Sequence, residues 1–380
     1  MQYCRISVVE SLEGLNEYVD QWDRLALGAP QQLPLLSSAW VISFLENCLG
    51  AEAKWKCLFA TMADGQLAGV LPLVIYPHRW LGSSISILRT PWDYHTRSGD
   101  ALYLEGHEEY VFTAFWETLT ELFGIRFWLE MRGVRGNSPT LLLPRKKNGY
   151  WVTIQKNDSP AGVIPIKGNI EEYNKLLTTK FRSNIRWAGK KLAQMSGFNV
   201  EVLNGRSATL DRLQQFFNIE NSGWKGDNGT SINRNPKLIS FYTRLAQSFS
   251  KRGWLEFHFL NVEGKVIAAH MAVKFGSSLV IPKIAYDENY ARYSPGGVLF
   301  WKTIKRVYEN GEIREINMLS DSKWFNNWKM EWYEHIYIRM FPAHIAPILL
   351  GYLPAILEYK LSKIKIFKKA YYKLMIYKKS

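Results

Sequence analysis

Two segments about 200 residues apart share one pattern, and this repeat constrains the fold more than any other feature of the sequence. Residues 58–73 and 257–273 each contain an apolar run, an acidic residue followed by Gly, and a second apolar run. An acidic residue and Gly between apolar runs predict a β-hairpin, because Gly accepts the positive backbone angle that a tight turn requires. The repeat therefore predicts two domains of similar architecture, unless two common hairpins coincide by chance.

Helical patterns precede each hairpin, and strands alternate with a helix after the second one. Apolar residues at three- and four-residue spacing predict helices over residues 15–27, 39–49, 170–177, 182–195, 208–221 and 236–251. Further patterns predict a strand over 279–285, a helix over 298–307 and a strand over 314–319. This order predicts an α/β fold with mixed, mostly antiparallel sheets flanked by helices. We assign residues 1–160 and 161–335 to two domains and 336–380 to an apolar and basic tail.

A candidate anion-binding turn follows the second hairpin and its strand. Ser294 suits the N-cap of a helix, and Pro295 suits the first helical position. Gly296 and Gly297 come next, and glycines there leave backbone N–H groups accessible to an anion such as a phosphate. Arg292, just before the turn, could add a charge-assisted hydrogen bond. The alternative is an ordinary capped helix after a tight turn.

The charge distribution predicts an anionic partner. The net charge is +14, and residues 360–379 contain eight Lys and no acidic residue. An anionic substrate, a membrane surface and a nucleic acid all remain open, but we find no nucleic-acid recognition motif and expect no DNA partner. We interpret the tail as a peripheral anchor on an anionic membrane surface. A helix packed on the body with a solvated end is the alternative.

Cysteine and histidine usage gives no sign of a metal site or a disulfide framework. Cys4, Cys48 and Cys57 have neither paired nor metal-binding spacing, and the histidines are scattered. We therefore expect no metal cofactor. Unpaired cysteines and an N-terminus without an apolar signal run predict a cytoplasmic protein. Together with the basic tail, this predicts a peripheral position on the inner face of the membrane.

Four motifs occur in a characteristic order along the chain. They are Lys180-Phe-Arg182-Ser-Asn-Ile-Arg186, Trp224 after a helix with Phe216 and Phe217, Ala285-Tyr-Asp287 through Gly296, and Asp321 followed by Phe325 and Trp328-Lys329. Leu36 to Trp40 and Trp92-Asp93-Tyr94 precede them. This series resembles the CelD/BcsL group of GNAT-superfamily acyltransferases, which is related to the FemABX aminoacyltransferases. The resemblance covers most of residues 10–335.

The resemblance implies tandem GNAT-like domains, with the acyl-donor site in the second. It implies N- or O-acyl transfer from acetyl-CoA or another acyl-CoA to an amine or hydroxyl. The implied acceptor is a sugar or lipid-linked glycan of exopolysaccharide or cell-envelope synthesis. FemABX relatives use aminoacyl-tRNA instead, which is the first alternative. A non-catalytic scaffold that keeps the GNAT fold is the second.

Acyl transfer from a thioester requires a held donor, a polarised carbonyl oxygen and an acceptor that loses a proton. We assign donor binding to Arg292, Ser294, Gly296 and Gly297, with backbone N–H groups near Ile284 and Ala285 at the carbonyl oxygen. Asp287 and Asp321 follow predicted strand ends, where α/β folds collect ligands, so each is a candidate proton acceptor. As turn residues they would instead bind local N–H groups.

Further candidates bind the substrate. Lys329 lies between Trp328 and Trp332 and is a third candidate catalytic residue, suited to fixing a phosphate or carboxylate. Arg182 and Arg186 share one helix face, which suits phosphates, although a solvated face is the usual explanation. The resemblance adds other candidate substrate-binding residues, namely Lys180, Trp224, Tyr293 and Asp93. His270 lies in a predicted strand, at an alternation position that could face the cleft, but we interpret it as a core histidine.

Overall fold

The computed structural model describes residues 4–50, 52–80, 83–143, 151–223, 226 and 228–362. Two mostly antiparallel β-sheets flanked by helices confirm the predicted α/β fold class. The helices are α1 (Leu12–Leu15), α2 (Val19–Gly28), α3 (Ser38–Asn47), α4 (Glu108–Phe123), α5 (Ile170–Leu176), α6 (Thr179–Ala193), α7 (Leu210–Asn221), α8 (Pro236–Lys251), α9 (Pro295–Asn310), α10 (Ile345–Pro347) and α11 (Leu353–Ser362).

The strands are shared between the two sheets. They are β1 (Cys4–Val9), β2 (Lys54–Met62), β3 (Leu67–Trp80), β4 (Ser83–Arg89), β5 (Leu102–Tyr103), β6 (Phe127–Arg135), β7 (Trp151–Asn157), β8 (Ala161–Pro165), β9 (Asn199–Asn204), β10 (Leu255–Val262), β11 (Lys265–Phe275), β12 (Ser278–Tyr286), β13 (Glu315–Asn317), β14 (Glu331–Tyr333) and β15 (His335–Pro342). The predicted hairpins are present as β2–β3 and β10–β11.

The two sheets have the same connectivity. The first has the order β1-β2-β3-β4-β6-β15-β7, with β5 paired to β3, and the second has the order β9-β10-β11-β12-β13-β8-β14. In each sheet one neighbouring pair is parallel, β4 with β6 and β12 with β13. A helix joins each parallel pair, α4 in the first sheet and α9 in the second. Parallel neighbours need such a crossover, because a tight turn can only join antiparallel strands.

The chain passes from one sheet to the other at two places, between β7 and β8 and between β14 and β15. β7 lies in the first sheet and β8 in the second, whereas β14 lies in the second and β15 in the first. β15 pairs with both β6 and β7. The prediction that a tail begins at residue 336 is therefore wrong, because residues 336–342 are an apolar strand inside the first sheet. The division at residue 160 stays a prediction.

The C-terminal segment continues as helix beyond β15. α10, a π-helical turn over Ile348–Tyr352 and α11 follow one another without a break. Among the described residues, no helix is both long and apolar enough to cross a bilayer. Residues 363–380, with most of the lysines of the predicted anchor, lie outside the described residues.

The largest hydrophobic core joins the two halves of the chain. It contains Trp40 of α3 together with Phe241 and Phe249 of α8. The Trp40 ring lies 5.8 Å from the Phe241 ring and 6.2 Å from the Phe249 ring, measured between centroids. Because burial of aromatic surface is the main favourable term in such contacts, the two halves are held together by a shared apolar core.

A buried ion pair connects the sheets beside this core. Arg135 at the end of β6 donates two hydrogen bonds to the Glu315 carboxylate of β13, at 3.0 and 2.7 Å. Arg135 also donates to the Gln31 carbonyl at 2.6 Å, and Ser278 donates to Glu315 at 2.8 Å. The Arg135 and Glu315 side chains are only 5% and 12% exposed. Removal of either partner would therefore leave a buried charge without compensation.

We expect Arg135→Leu to lower the free energy of unfolding by about 3–5 kcal/mol, measured by urea denaturation, because Glu315 keeps its charge in a buried site. Lys167→Leu is the matched control, because the Lys167–Glu331 pair is 76% and 50% exposed. That change should cost about 0–1 kcal/mol. Equal effects of the two substitutions would contradict a structural role of the buried pair.

Three histidines are buried in the sheets, and each has a pKa below its usual value. Burial lowers the pKa of His258 and, with help from His258, that of His270. Burial and the charge of Arg135 lower the pKa of His335 to about 4. A group with a depressed folded-state pKa binds fewer protons when folded than when unfolded. Stability is therefore lost as the pH falls below the unfolded histidine value of about 6.5.

We expect the free energy of unfolding to fall between about pH 6.5 and pH 4, and His335→Gln to reduce that slope by up to about 1.4 kcal/mol per pH unit. Urea denaturation at several pH values measures the slope. His344→Gln serves as the control, because His344 is exposed. An unchanged slope in His335→Gln would show that His335 is not buried in its neutral form.

Candidate active site

The second sheet opens where β12 and β13 diverge. β12 pairs with β13 only over Ser278–Val280, opposite Glu315–Asn317. β12 then continues beside β11 as far as Tyr286, with an irregular register between Met271 and Val273 of β11. Among the described residues, the C-terminal half of β12 therefore has one paired edge and one edge without a strand beside it.

The open edge of β12 presents backbone N–H groups. The N–H of Asp287 donates to the Ile267 carbonyl of β11 at 2.9 Å. Because successive N–H groups of a strand point to opposite edges, those of Tyr286 and Ile284 point to the open edge. By the same alternation the N–H of Ala285 points toward β11. Of the two predicted carbonyl-binding positions, the geometry thus favours Ile284, and Tyr286 replaces Ala285.

The N-terminus of α9 faces the same opening. Pro295 lacks an N–H, and the N–H of Val298 donates to the Ser294 carbonyl at 3.0 Å. Within the described residues, no hydrogen bond uses the N–H groups of Gly296 and Gly297, as expected for the first turn of a helix. These two donors add to the positive end of the helix dipole.

The predicted N-cap role of the Ser294 side chain is wrong. Ser294 has a left-handed backbone, with φ 44° and ψ 54°, and its side chain makes no capping hydrogen bond. An N-cap side chain reaches the helix from an extended backbone, which Ser294 lacks. Its left-handed conformation instead turns the chain from the 3-10 segment Glu288–Tyr293 directly into α9.

These elements line a cavity of about 340 Å³, which is the candidate site and is called the main cavity below. Its walls come from α6, the end of β12, the start of α9 and the 3-10 segment Lys323–Trp328. It includes five of the six predicted donor-binding residues, namely Ile284, Ala285, Ser294, Gly296 and Gly297. The glycine turn and the end of β12 thus line the same cavity, because only the short 3-10 segment Glu288–Tyr293 and its flanking residues separate β12 from α9.

Arg292 and Tyr293 do not line this cavity. The exposed Arg292 guanidinium lies over the Tyr293 ring, 4.6 Å from its centroid. Tyr293 in turn stacks against Trp187 of α6, with centroids 6.3 Å apart. Both side chains therefore form the outer surface beside the opening.

The predicted catalytic residues are not brought together. None of Asp287, Asp321 and Lys329 lines the cavity, and Asp321 and Lys329 are exposed. The Asp287 carboxylate accepts hydrogen bonds from the backbone and side-chain N–H groups of Asn289, both at 2.9 Å. Asp287 therefore behaves as a turn residue, the alternative that the sequence left open.

The predicted substrate-binding residues are dispersed. Asp93 accepts hydrogen bonds from the N–H groups of His95 and Thr96, at 2.7 and 2.5 Å, within a loop of the first half. Lys180 is exposed on α6. Trp224 lies outside the described residues.

Arg182 and Arg186 line a second, smaller cavity of about 150 Å³. Ile185 and Trp328 border both cavities and separate them. Arg182 donates to the Thr179 hydroxyl at 3.2 Å, which holds its guanidinium on the α6 surface. The arginine stripe predicted from the sequence thus lies beside the main cavity.

His270 is a buried histidine that also belongs to the candidate site. It lies on β11, is 2% exposed, and forms part of the cavity wall. Its Nδ1 has no hydrogen-bond partner among the described residues. Strand alternation had indicated that His270 could face a cleft, but only the divergence of β12 from β13 shows that a cleft is there.

Acidic residues are missing from the described wall of the main cavity, which contains His270 and Tyr286 as its titratable side chains. Within the described part of the chain, no cluster of three or more His, Cys, Asp or Glu side chains is arranged to hold a metal ion.

Comparison with known proteins agrees with this architecture. Residues 179–330 match the family model described as an acetyltransferase (GNAT) domain. The structure is similar to that of FemX, with a TM-score of 0.57 and 12% identity, over 87% of this chain and 96% of the FemX chain. Comparison with curated proteins gives no match.

Two further solved structures are similar. A conserved protein of unknown function from Bacteroides thetaiotaomicron VPI-5482 has a TM-score of 0.53 and 11% identity, over 89% of this chain and 100% of that one. The C-terminal domain of a putative lysylphosphatidylglycerol synthetase from Agrobacterium fabrum has a TM-score of 0.52 and 11% identity, over 90% and 96%. At such identities the likeness shows the fold alone. Residues 179–330 thus match a GNAT-type acetyltransferase domain, and the cavity at the open edge of β12 is lined by residues within the matched range.

Proposed function

We propose that this protein transfers an acyl group from a phosphate-containing donor to an amine or hydroxyl. The observation that carries the proposal is the convergence of the open β12 edge and the α9 N-terminus on one cavity. The N–H groups of Gly296 and Gly297 would bind a donor phosphate. The N–H groups of Ile284 and Tyr286 would bind the acyl carbonyl oxygen, on which negative charge develops during attack.

The donor that suits this arrangement best is acetyl-CoA or another acyl-CoA. Its pyrophosphate matches a helix N-terminus, and its narrow pantetheine arm can extend along an unpaired strand edge. The FemABX resemblance supports an aminoacyl ester carried by tRNA as the second donor candidate. The described residues of the cavity wall contribute no charged side chain that would select one of the two donors.

We expect Gly296→Val to weaken acyl-CoA binding at least about tenfold, because its side chain would occupy the space that the phosphate needs beside the N–H groups; a tenfold loss corresponds to about 1.4 kcal/mol. A Cβ at Gly296 would meet only Tyr286 side-chain atoms, at 3.7 Å or more, so the first atom of the new side chain fits. Isothermal titration calorimetry with acetyl-CoA and a long-chain acyl-CoA measures the affinity.

Gly28→Val is the control, because a Cβ at Gly28 would meet no atom within 4 Å and Gly28 lies at the end of α2. Unchanged acyl-CoA affinity in Gly296→Val would contradict the assigned phosphate position. If acyl-CoA does not bind the wild type but aminoacyl-tRNA supports transfer, the tRNA-carried donor is correct. Failure of both donors would favour the non-catalytic scaffold.

We also propose that the acceptor is a sugar or lipid-linked glycan and that the protein works at an anionic membrane surface. Ile345, Leu349, Leu353 and Leu357 are each 47–78% exposed at four-residue intervals along the C-terminal helices. The opposite face of this segment packs on the first sheet, where Ala355 joins a core cluster with Trp128 and Phe341. An apolar outer face followed by a lysine-rich segment is the pattern of an interfacial helix.

The double substitution Leu349→Gln with Leu353→Gln should weaken binding to vesicles of phosphatidylglycerol and phosphatidylcholine by at least about tenfold. Burial of each leucine side chain in the membrane contributes about 1.5–3 kcal/mol of binding free energy, which the substitution removes. Vesicle flotation measures binding. The matched control is Leu122→Gln with Leu210→Gln, at positions 44% and 45% exposed elsewhere. Equal binding of both double variants and of the wild type would exclude this surface as the contact.

A further inference from the structure

We propose that His270 is the catalytic proton acceptor for the incoming amine or hydroxyl. The inference rests on the proposed acyl transfer and adds a residue to it. Its basis is an unpartnered, buried imidazole in the wall of the main cavity, opposite the part of β12 that would bind the acyl carbonyl.

His270 lies next to the reacting position. In the β11–β12 pair, His270 is the register partner of Ile284, whose N–H points to the open edge. The His270 imidazole is packed edge-on against Phe300 of α9, with centroids 6.0 Å apart. A cavity wall, a neighbouring strand and a helix therefore hold the ring in one orientation, which general-base catalysis requires.

Nδ1 of His270 is buried and has no hydrogen-bond partner among the described residues. Buried polar atoms are nearly always paired, so an unpaired one in a cavity wall indicates a ligand or a catalytic role. The bound acceptor would supply the missing hydrogen-bond partner of His270.

The groups behind His270 are already paired with one another. His258 Nε2 lies 2.9 Å from the Glu256 carboxylate, and His258 Nδ1 lies 3.1 Å from the Thr303 hydroxyl. Arg306 of α9 forms an ion pair with Glu256. Although burial raises the pKa of Glu256, the His258 hydrogen bond and the Arg306 charge lower it to about 2. This network leaves Glu256 ionised and unavailable as a proton acceptor.

His270 is neutral at neutral pH and can therefore accept a proton. Burial, and then the neighbouring His258, lower the pKa of His270. The ionisable groups that face this region are His258 and Glu256 on β10, Arg306 on α9 and Tyr286 on β12. Among the described residues that line the cavity, no carboxylate competes for the role.

The step balances without an additional reactant. The lone pair of the acceptor nitrogen or oxygen forms a bond to the acyl carbon, and the acceptor proton passes to a ring nitrogen of His270. The tetrahedral intermediate then breaks its bond to the leaving sulfur or ester oxygen. The proton held by His270 returns to that leaving group, directly or through water.

The test measures donor binding and turnover separately. Acetyl-CoA is the donor probe and water is the acceptor probe, with free thiol as the product. We expect His270→Gln to keep acetyl-CoA affinity within about threefold and to lower the turnover number by about 10²–10⁴, the range of general-base catalysis. The pH profile of turnover should lose its ascending limb. His335→Gln, another buried histidine outside the cavity, should retain turnover.

Imidazole rescue provides the decisive readout. His270→Ala leaves space in the cavity wall, so added imidazole should restore thiol release in proportion to its concentration, whereas a structural role would give no rescue. Wild-type turnover with an unchanged pH profile in His270→Gln would overturn the proposal. So would equal losses of donor affinity and turnover, or no rescue by imidazole. Wild-type protein that neither binds nor cleaves acetyl-CoA would instead contradict the proposed donor.

Discussion

The divergence of β12 from β13 is the constraint on which the candidate site depends. The two strands are parallel neighbours for only three residue pairs, and β13 ends at Asn317 while β12 continues to Tyr286. Unpaired backbone groups are costly when they are buried, so an open strand edge beside a cavity suits a ligand that accepts hydrogen bonds. The α9 helix starts beside the same edge, because the 3-10 segment Glu288–Tyr293 is the only connection between β12 and α9.

The first sheet repeats this arrangement without the same site. β4 and β6 are its parallel neighbours, and α4 is the helix between them. The α4 helix begins at Glu108 and Glu109, acidic residues that would repel an anion at its N-terminus. Among the described residues, the proposed anion-binding turn therefore belongs to the second of these two similar sheets. Strand exchange, the shared apolar core and the Arg135–Glu315 pair make the first half a support for the second.

Closeness in sequence explains which of the predicted site residues line one cavity in the structure. Gly296 and Gly297 follow β12 within a dozen residues, so the turn and the strand end were bound to meet. Asp287 and Asp321 are candidates because they follow predicted strands, and Lys329 because it lies between two tryptophans. Neither pattern says which way a side chain points. In the structure, the Asp287 carboxylate accepts hydrogen bonds within its own turn, and Asp321 and Lys329 are exposed to solvent.

The sequence by itself determined the α/β class, the two hairpins and the glycine turn, because these depend on apolar periodicity and on local backbone preferences. Tertiary structure decided three other features. β15 pairs within the first sheet, β12 diverges from β13, and His270 lines the cavity. Each depends on contacts between distant segments, which periodicity cannot specify. A histidine in a strand has the same local pattern whether it faces a packed core or an opening between strands.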